Sequence, residues 1–165
     1  MQKGDWEGAR QGYTAELNDK NGNPAFKSQA QSGIGNTYLM QQKFDQARQA
    51  YNQLAAEPGA SGAVKAQAQM SVAQTYLAQG NMAQARAEYA KVATIQDVPP
   101  ATATDAELGV ALTYLNENNF SAAKAEYQKV IHEPKVGKAE KDNAIAQTGL
   151  VDKMAAQHQT SSHKN

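Results

Sequence analysis

Apolar positions along this chain recur at the three- and four-residue spacings of amphipathic helices, and polar breaks interrupt them at regular intervals. Val72, Tyr76 and Leu77 follow helical spacing, Gly80-Asn81 interrupts it, and Met82, Ala85, Tyr89 and Val92 resume it. So short an interruption leaves room only for a tight antiparallel reversal, so the unit is a helical hairpin. The unit recurs on either side. The stretches beginning at Asn36, Gln74 and Leu112 and ending at Tyr51, Tyr89 and Tyr127 align without gaps. Tyr38, Tyr76 and Tyr114 are 38 residues apart, as are Tyr51, Tyr89 and Tyr127. The same step taken backwards from Tyr51 and Phe44 lands on Tyr13 and Trp6, so the chain opens partway through another copy. Self-similarity at a fixed period of about 20–50 residues marks a repeat solenoid, in which each layer packs only on its neighbours.

The pattern predicts helices over about 5–18, 25–41, 44–56, 63–79, 82–94, 104–117, 120–132 and 138–157. The residues beside the hairpin turns are polar or small: Gln42-Lys43, Gly80-Asn81 and Asn118-Asn119. Small residues stand where paired helices approach closely, with Gly35, Ala73 and Ala111 on first helices and Ala47, Ala85 and Ala123 on second helices. Asn23-Pro24 reads as a cap followed by a first-turn proline, and Thr102 or Thr104 as the cap after Asp97-Val-Pro-Pro100. Met1-Gln-Lys reads as the end of a missing partner helix, which leaves the helix at 5–18 the least secure and Trp6 short of cover. The helix at 138–157 keeps the register but has Asp152 at the tyrosine position, and reads as a capping helix with a polar outer face. Residues 158–165 read as a disordered polar tail.

The order small residue, tyrosine, turn, aromatic or Met, alanine, tyrosine, aliphatic, proline resembles the tetratricopeptide repeat over about residues 4–134. That family's usual period is about 34 residues, shorter than the period here. The distance from Tyr38 to Tyr51 is kept in every copy, so the additional residues lie between hairpins. The resemblance implies an all-α, right-handed superhelical solenoid of antiparallel helix hairpins. It would comprise a half repeat at 4–23, repeats at about 24–61, 62–99 and 100–137, and a closing helix, within a longer repeat protein.

Composition narrows the function. Formal charge is zero, with 16 basic and 16 acidic residues spread through the chain, which argues against a nucleic-acid or anionic-membrane surface. No apolar run reaches the roughly 20 residues needed to span a bilayer. Without cysteine there is no disulfide, thiol nucleophile or thiolate metal site. The start has no signal-peptide pattern, and the amide- and alanine-rich composition leans towards repeat segments of the bacterial envelope. His158 and His163 are five apart with no acidic ligand nearby, so no metal or other cofactor is expected. Glu88 and Glu126, each beside a packing tyrosine, are expected to face solvent on separate hairpins, a poor arrangement for acid–base work. Gly33-Ile-Gly35 follows no strand and is not a phosphate loop. The chain is therefore expected not to be an enzyme.

What the resemblance implies about binding lies on the first helices, whose exposed face lines the concave side of the superhelix. Carried over by position, that face holds Gln29, Ser32, Asn36, Leu39 and Met40 in the first hairpin and Gln67, Met70, Gln74 and Leu77 in the second. The third supplies Asp105, Leu108, Leu112, Leu115 and Asn116, and the closing helix Asn143, Ala146 and Leu150. Family members that grip acidic C-terminal tails use lysines, an arginine and asparagines here; only Asn36 matches. The amide and leucine groove suits a neutral, partly apolar peptide. The leucine row Leu39, Leu77 and Leu115 also has a second reading, as contact with the neighbouring helix. The expected function is a protein-interaction scaffold, with self-association through the uncapped N-terminal end as the alternative.

Overall fold

The computed structural model describes residues 4–162, with side chains to residue 160. The helix remnant expected at Met1-Gln-Lys and the tail residues 163–165 lie outside the described residues. Among these there are eight α-helices and no strand: α1 (Trp6–Asn18), α2 (Pro24–Met40), α3 (Phe44–Ala56), α4 (Gly62–Ala78), α5 (Met82–Lys91), α6 (Pro100–Asn116), α7 (Phe120–His132) and α8 (Lys138–Ser162). A single 3-10 turn, Val92–Thr94, extends α5. The first helices α2, α4 and α6 each have 17 residues, and α3 and α7 each have 13.

Local chemistry sets these boundaries. Asp5, Asn23, Ser61, Asn81 and Asn119 each accept a backbone N–H of their helix's first turn, from Gly8, Ala25, Val64, Gln84 and Ala122. The hairpin turns at Gln42, Gly80 and Asn118 each have one residue at positive φ, 58°, 80° and 56°, which reverses the chain in the least space. Two boundaries differ from expectation. Helix α6 starts at Pro100, without a threonine cap. Proline at a first helical position loses only an N–H that has no intrahelical acceptor. Thr104 is instead buried within the helix, its hydroxyl donating to the Pro100 carbonyl at 3.0 Å. Helix α8 continues to Ser162, past the expected tail boundary at 158. The His158 ring lies edge-on to Phe120 with centroids 5.7 Å apart, which ties the added turns to the start of α7.

Each helix packs antiparallel on the next, α1 on α2 through α7 on α8, giving an all-α repeat solenoid. The two layers are not equivalent. First helices also touch one another, α2 with α4, α4 with α6 and α6 with α8, whereas among the described residues α1, α3, α5 and α7 do not touch. A stack drawn together on one side and splayed on the other is curved, with the first helices lining its inner surface.

Small residues allow the close approach. Ala47, Ala85, Ala123, Ala73 and Ala111 have no exposed surface. At Gly35 a Cβ would stand 2.4 Å from Cε1 of Tyr51, so only glycine lets that ring lie against the helix. Tyr51, Tyr89 and Tyr127 are buried as the rings between successive first helices. The clusters they anchor join neighbouring layers: Ala66, Met70, Ala73, Tyr89, Val92 and Ala106 span α4 to α6. No described residue of α1 is fully buried, and Trp6 and Tyr13 are half-buried.

A second contact repeats between layers. Arg10, Arg48 and Arg86 of second helices lie over the rings of Tyr38, Tyr76 and Tyr114 in the next first helix, at 4.8, 4.3 and 4.0 Å from the ring centres. Arg86 also donates to Thr113 Oγ1 and to Glu117, both at 2.9 Å. Sequence reasoning left these arginines out, although each precedes its tyrosine by the same number of residues.

Candidate functional site

The inner surface is formed by α2, α4, α6 and α8, and the repeat period lays its side chains out in rows across them. One row is Gln29, Gln67, Asp105 and Asn143, and the next is Asn36, Gln74, Leu112 and Leu150; all eight are exposed. A third is Met40, Ala78 and Asn116, also exposed, with Met40 at 70%. Ala78 was missing from the sequence-based groove, though the period itself points to it. Asp105 is the one charged side chain in these three rows. The surface runs from amides on α2 and α4 to leucines on α6 and α8.

Other groove candidates lie deeper. Met70 belongs to the core, 7% exposed, packed with Ala66, Ala73 and Tyr89. The helix is rotated so that Met70 points between α4 and α6, where its long, flexible side chain fills the layer. Leu39 packs against the cluster of Ala47, Tyr51 and Val72, and Leu115 and Leu108 against the cluster around Tyr127 and Val130. Leu77 is half-buried. For Leu39 and Leu115 the contact with neighbouring helices therefore holds. Asn36 is exposed but not unattached: its Oδ1 accepts the Tyr51 hydroxyl at 2.7 Å, so it also satisfies a buried tyrosine.

Two carboxylates outside these rows lie close to the first helices of their own hairpins. Glu88 and Glu126, expected to face solvent, are only 12% and 16% exposed in their side chains. Glu88 accepts from Gln69 of α4 and from Lys91 at 2.8 Å, and Glu126 accepts from Lys129 at 2.7 Å. A position beside an inward tyrosine on a second helix faces the first helix of its own hairpin, so these carboxylates are drawn in and neutralised locally. Glu107 sits near Glu126, and burial raises its carboxyl above the ordinary range. Glu133 and Glu126 add to that rise and Lys129 opposes it. Burial likewise pushes Tyr51 up to about 12 and raises Tyr89 and Tyr127. Of these groups Tyr51 touches the rows, through the hydroxyl that Asn36 accepts, and no described group of three or more His, Asp or Glu could hold a metal ion. No described helix is long and apolar enough to cross a membrane.

Residues 29–59 and residues 66–98 each match a family model described as a tetratricopeptide repeat. These spans cover most of α2–α3 and of α4–α5, the two complete hairpins in which the rows begin. No curated protein matches the chain.

Proposed function

Because the chain belongs to the tetratricopeptide repeat family, we propose that it is a noncatalytic protein-interaction module whose inner groove takes a neutral, partly apolar peptide. Tetratricopeptide repeats generally mediate protein–protein contacts; the groove and the class of peptide are the further step. The observation that carries this step is the set of three exposed rows in register on successive first helices, amide-rich at one end and leucine-bearing at the other. Asn and Gln side chains supply both donors and acceptors to an extended backbone, and Leu112 and Leu150 supply apolar contact. An acidic tail finds no cation in these rows.

An affinity around micromolar, or about 8 kcal/mol, is the scale for such a surface. Salt has little effect on it, because the rows hold no charge cluster to screen. The test is a peptide-array screen followed by titration of the wild type and of a Gln74→Ala, Leu112→Ala double variant. Both residues are exposed, so the fold is expected to change by only about 0.5 kcal/mol for each. Binding weakened at least tenfold supports the groove, and wild-type affinity in the double variant removes it. Asn36 is left in place because truncating it would strand the Tyr51 hydroxyl.

A further inference from the structure

Ala50, Glu88 and Glu126 stand one period apart, yet the first of them is no acid. In the second and third hairpins the carboxylates of Glu88 and Glu126 accept from Lys91 and Lys129, and Gln69 donates to Glu88. The first hairpin has Ala50 in place of the acid and Gln53 in place of the lysine. The space beside Ala50 stays open as a cavity of about 370 Å³ between α1 and α3, floored by α2. Leu17 and Ile34 form apolar walls, Gln46 and Gln49 lie on the α3 side, and none of its described lining residues is charged.

Gln31 reaches this cavity from α2 and is only 7% exposed. Its Nε2 donates to the Ala50 carbonyl at 3.0 Å and to Gln53 Oε1 at 2.9 Å. A backbone carbonyl can only accept, which fixes the orientation of the Gln31 amide. Both of its N–H donors are therefore used, while its Oε1 accepts nothing from any described residue. A carbonyl oxygen so deep in the protein ordinarily has a donor. The one described side-chain atom sealed without a partner is Arg10 Nη1, so Gln31 Oε1 is open to the cavity. Gln53 gives its oxygen to Gln31 and keeps its own N–H donors for a guest.

We infer that this cavity binds a primary carboxamide on a small apolar body, its N–H donating to Gln31 Oε1 and its carbonyl accepting from Gln53 Nε2. Such a group supplies what the two glutamines lack and brings no charge to desolvate. Cavities of roughly 300–1,000 Å³ with a few convergent polar groups are the usual size for small ligands. An anion is poorly served, because Arg10, which lines the adjoining cavity, is already paired with Glu7. A sugar ring finds no open aromatic face: Arg10 lies 4.8 Å over the Tyr38 ring, which also packs against the cluster of Ala47 and Tyr51. The site is on the second-helix side of α2 and does not depend on the inner groove. Its amide comes either from a free molecule or from a glutamine side chain of a peptide, and the test separates the two.

Titration of the 165-residue chain with butanamide, followed by nuclear magnetic resonance of the Gln31 and Gln53 side-chain amides, tests this. Saturable shifts of both are expected. Methyl butanoate keeps the carbonyl but has no N–H, so it leaves Gln31 Oε1 unpaired and is expected to bind about tenfold or more weakly. Ala50→Glu with Gln53→Lys rebuilds the arrangement of Glu88 and Lys91, and is expected to fold and to lose the Gln31 shift. Gln53→Ala, a change at an exposed residue, is expected to weaken binding by about threefold or more while the thermal midpoint holds. A neutral glutamine-bearing peptide that binds more tightly than butanamide assigns the amide to a polypeptide, and the reverse order assigns it to a free molecule. Equal binding of methyl butanoate overturns the proposal, as does glucose shifting these resonances in place of the amide. Shifts that persist in the Ala50→Glu, Gln53→Lys variant, unchanged affinity in Gln53→Ala, or no shift with either amide or peptide overturn it equally.

Discussion

Lys124 and Asp152 make, at the last layer, the contact that Arg86 and Tyr114 make one repeat earlier. Lys124 Nζ lies 2.7 and 2.9 Å from the two Asp152 carboxylate oxygens, while the Arg86 guanidinium lies 4.0 Å from the Tyr114 ring centre. Both members have changed together. The second helix still supplies a cation, and the first helix answers with a carboxylate in place of a ring. Asp152 is 57% exposed in its side chain, a position at the outer end where water can solvate a charge.

The two contacts are expected to respond differently to salt. A double-mutant cycle on Lys124→Ala and Asp152→Ala should give a coupling of about 0.5 kcal/mol that fades near 1 M salt, as for other exposed pairs. The cycle on Arg86→Ala and Tyr114→Leu should give about 0.5–1 kcal/mol and keep most of it in salt. A Lys124–Asp152 coupling indifferent to salt would refute the assignment.

The first hairpin turn is the least suited to its geometry. Gln42 takes the left-handed conformation that Gly80 takes one repeat later, and Lys43 has no side-chain cap where Asn81 provides one. Gln42→Gly is expected to stabilise the chain by about 1 kcal/mol by removing the Cβ conflict. Lys43→Asn should add about 0.5–1 kcal/mol through a new cap. Chemical denaturation of the single and double variants checks both values.

The two tyrosine rows are expected to be unequal. Tyr89→Ala should cost about 3–5 kcal/mol, the range for a buried aromatic, whereas half-buried Tyr76→Ala should cost about 1–2 kcal/mol. Equal losses in thermal melts would contradict the layer assignment. The buried row also predicts an alkaline limit. Tyr51 is raised from 10.0 to about 12 on folding, so the neutral phenol is the folded form. Its contribution is complete below pH 10 and is lost as pH rises towards about 12. Tyr51→Phe should flatten this part of the stability curve.

Glu107 occupies the place held by Gln69 one repeat earlier. Its carboxyl is raised on folding, so the protonated form is favoured in the folded state and stability falls as pH rises through its folded value. Glu107→Gln is expected to stabilise the chain at neutral pH by about 0.5 kcal/mol, the scale of a partly exposed charge interaction. The gain should vanish in acid, where the wild-type carboxyl is neutral in both states. A gain that persists unchanged in acid would mean that packing, not charge, distinguishes the two side chains.

Counting alone made the hairpins legible. The constant distance from Tyr38 to Tyr51, from Tyr76 to Tyr89 and from Tyr114 to Tyr127 set the register, because equivalent residues in a solenoid must meet equivalent neighbours. The breaks at Gly80-Asn81 and Asn118-Asn119 located the turns for the same reason. A period states which residues are equivalent, but not how far each helix is turned about its axis. That rotation follows from how neighbouring layers settle against one another, and it put Met70 in the core, drew Glu88 towards Gln69 and gave Asn36 the Tyr51 hydroxyl. Contacts between layers lay equally beyond local pattern. The stacks of Arg48 on Tyr76 and Arg86 on Tyr114, their replacement by Lys124 and Asp152, and the Phe120–His158 contact in lengthened α8 all join distant segments. Only packing brings those segments within reach.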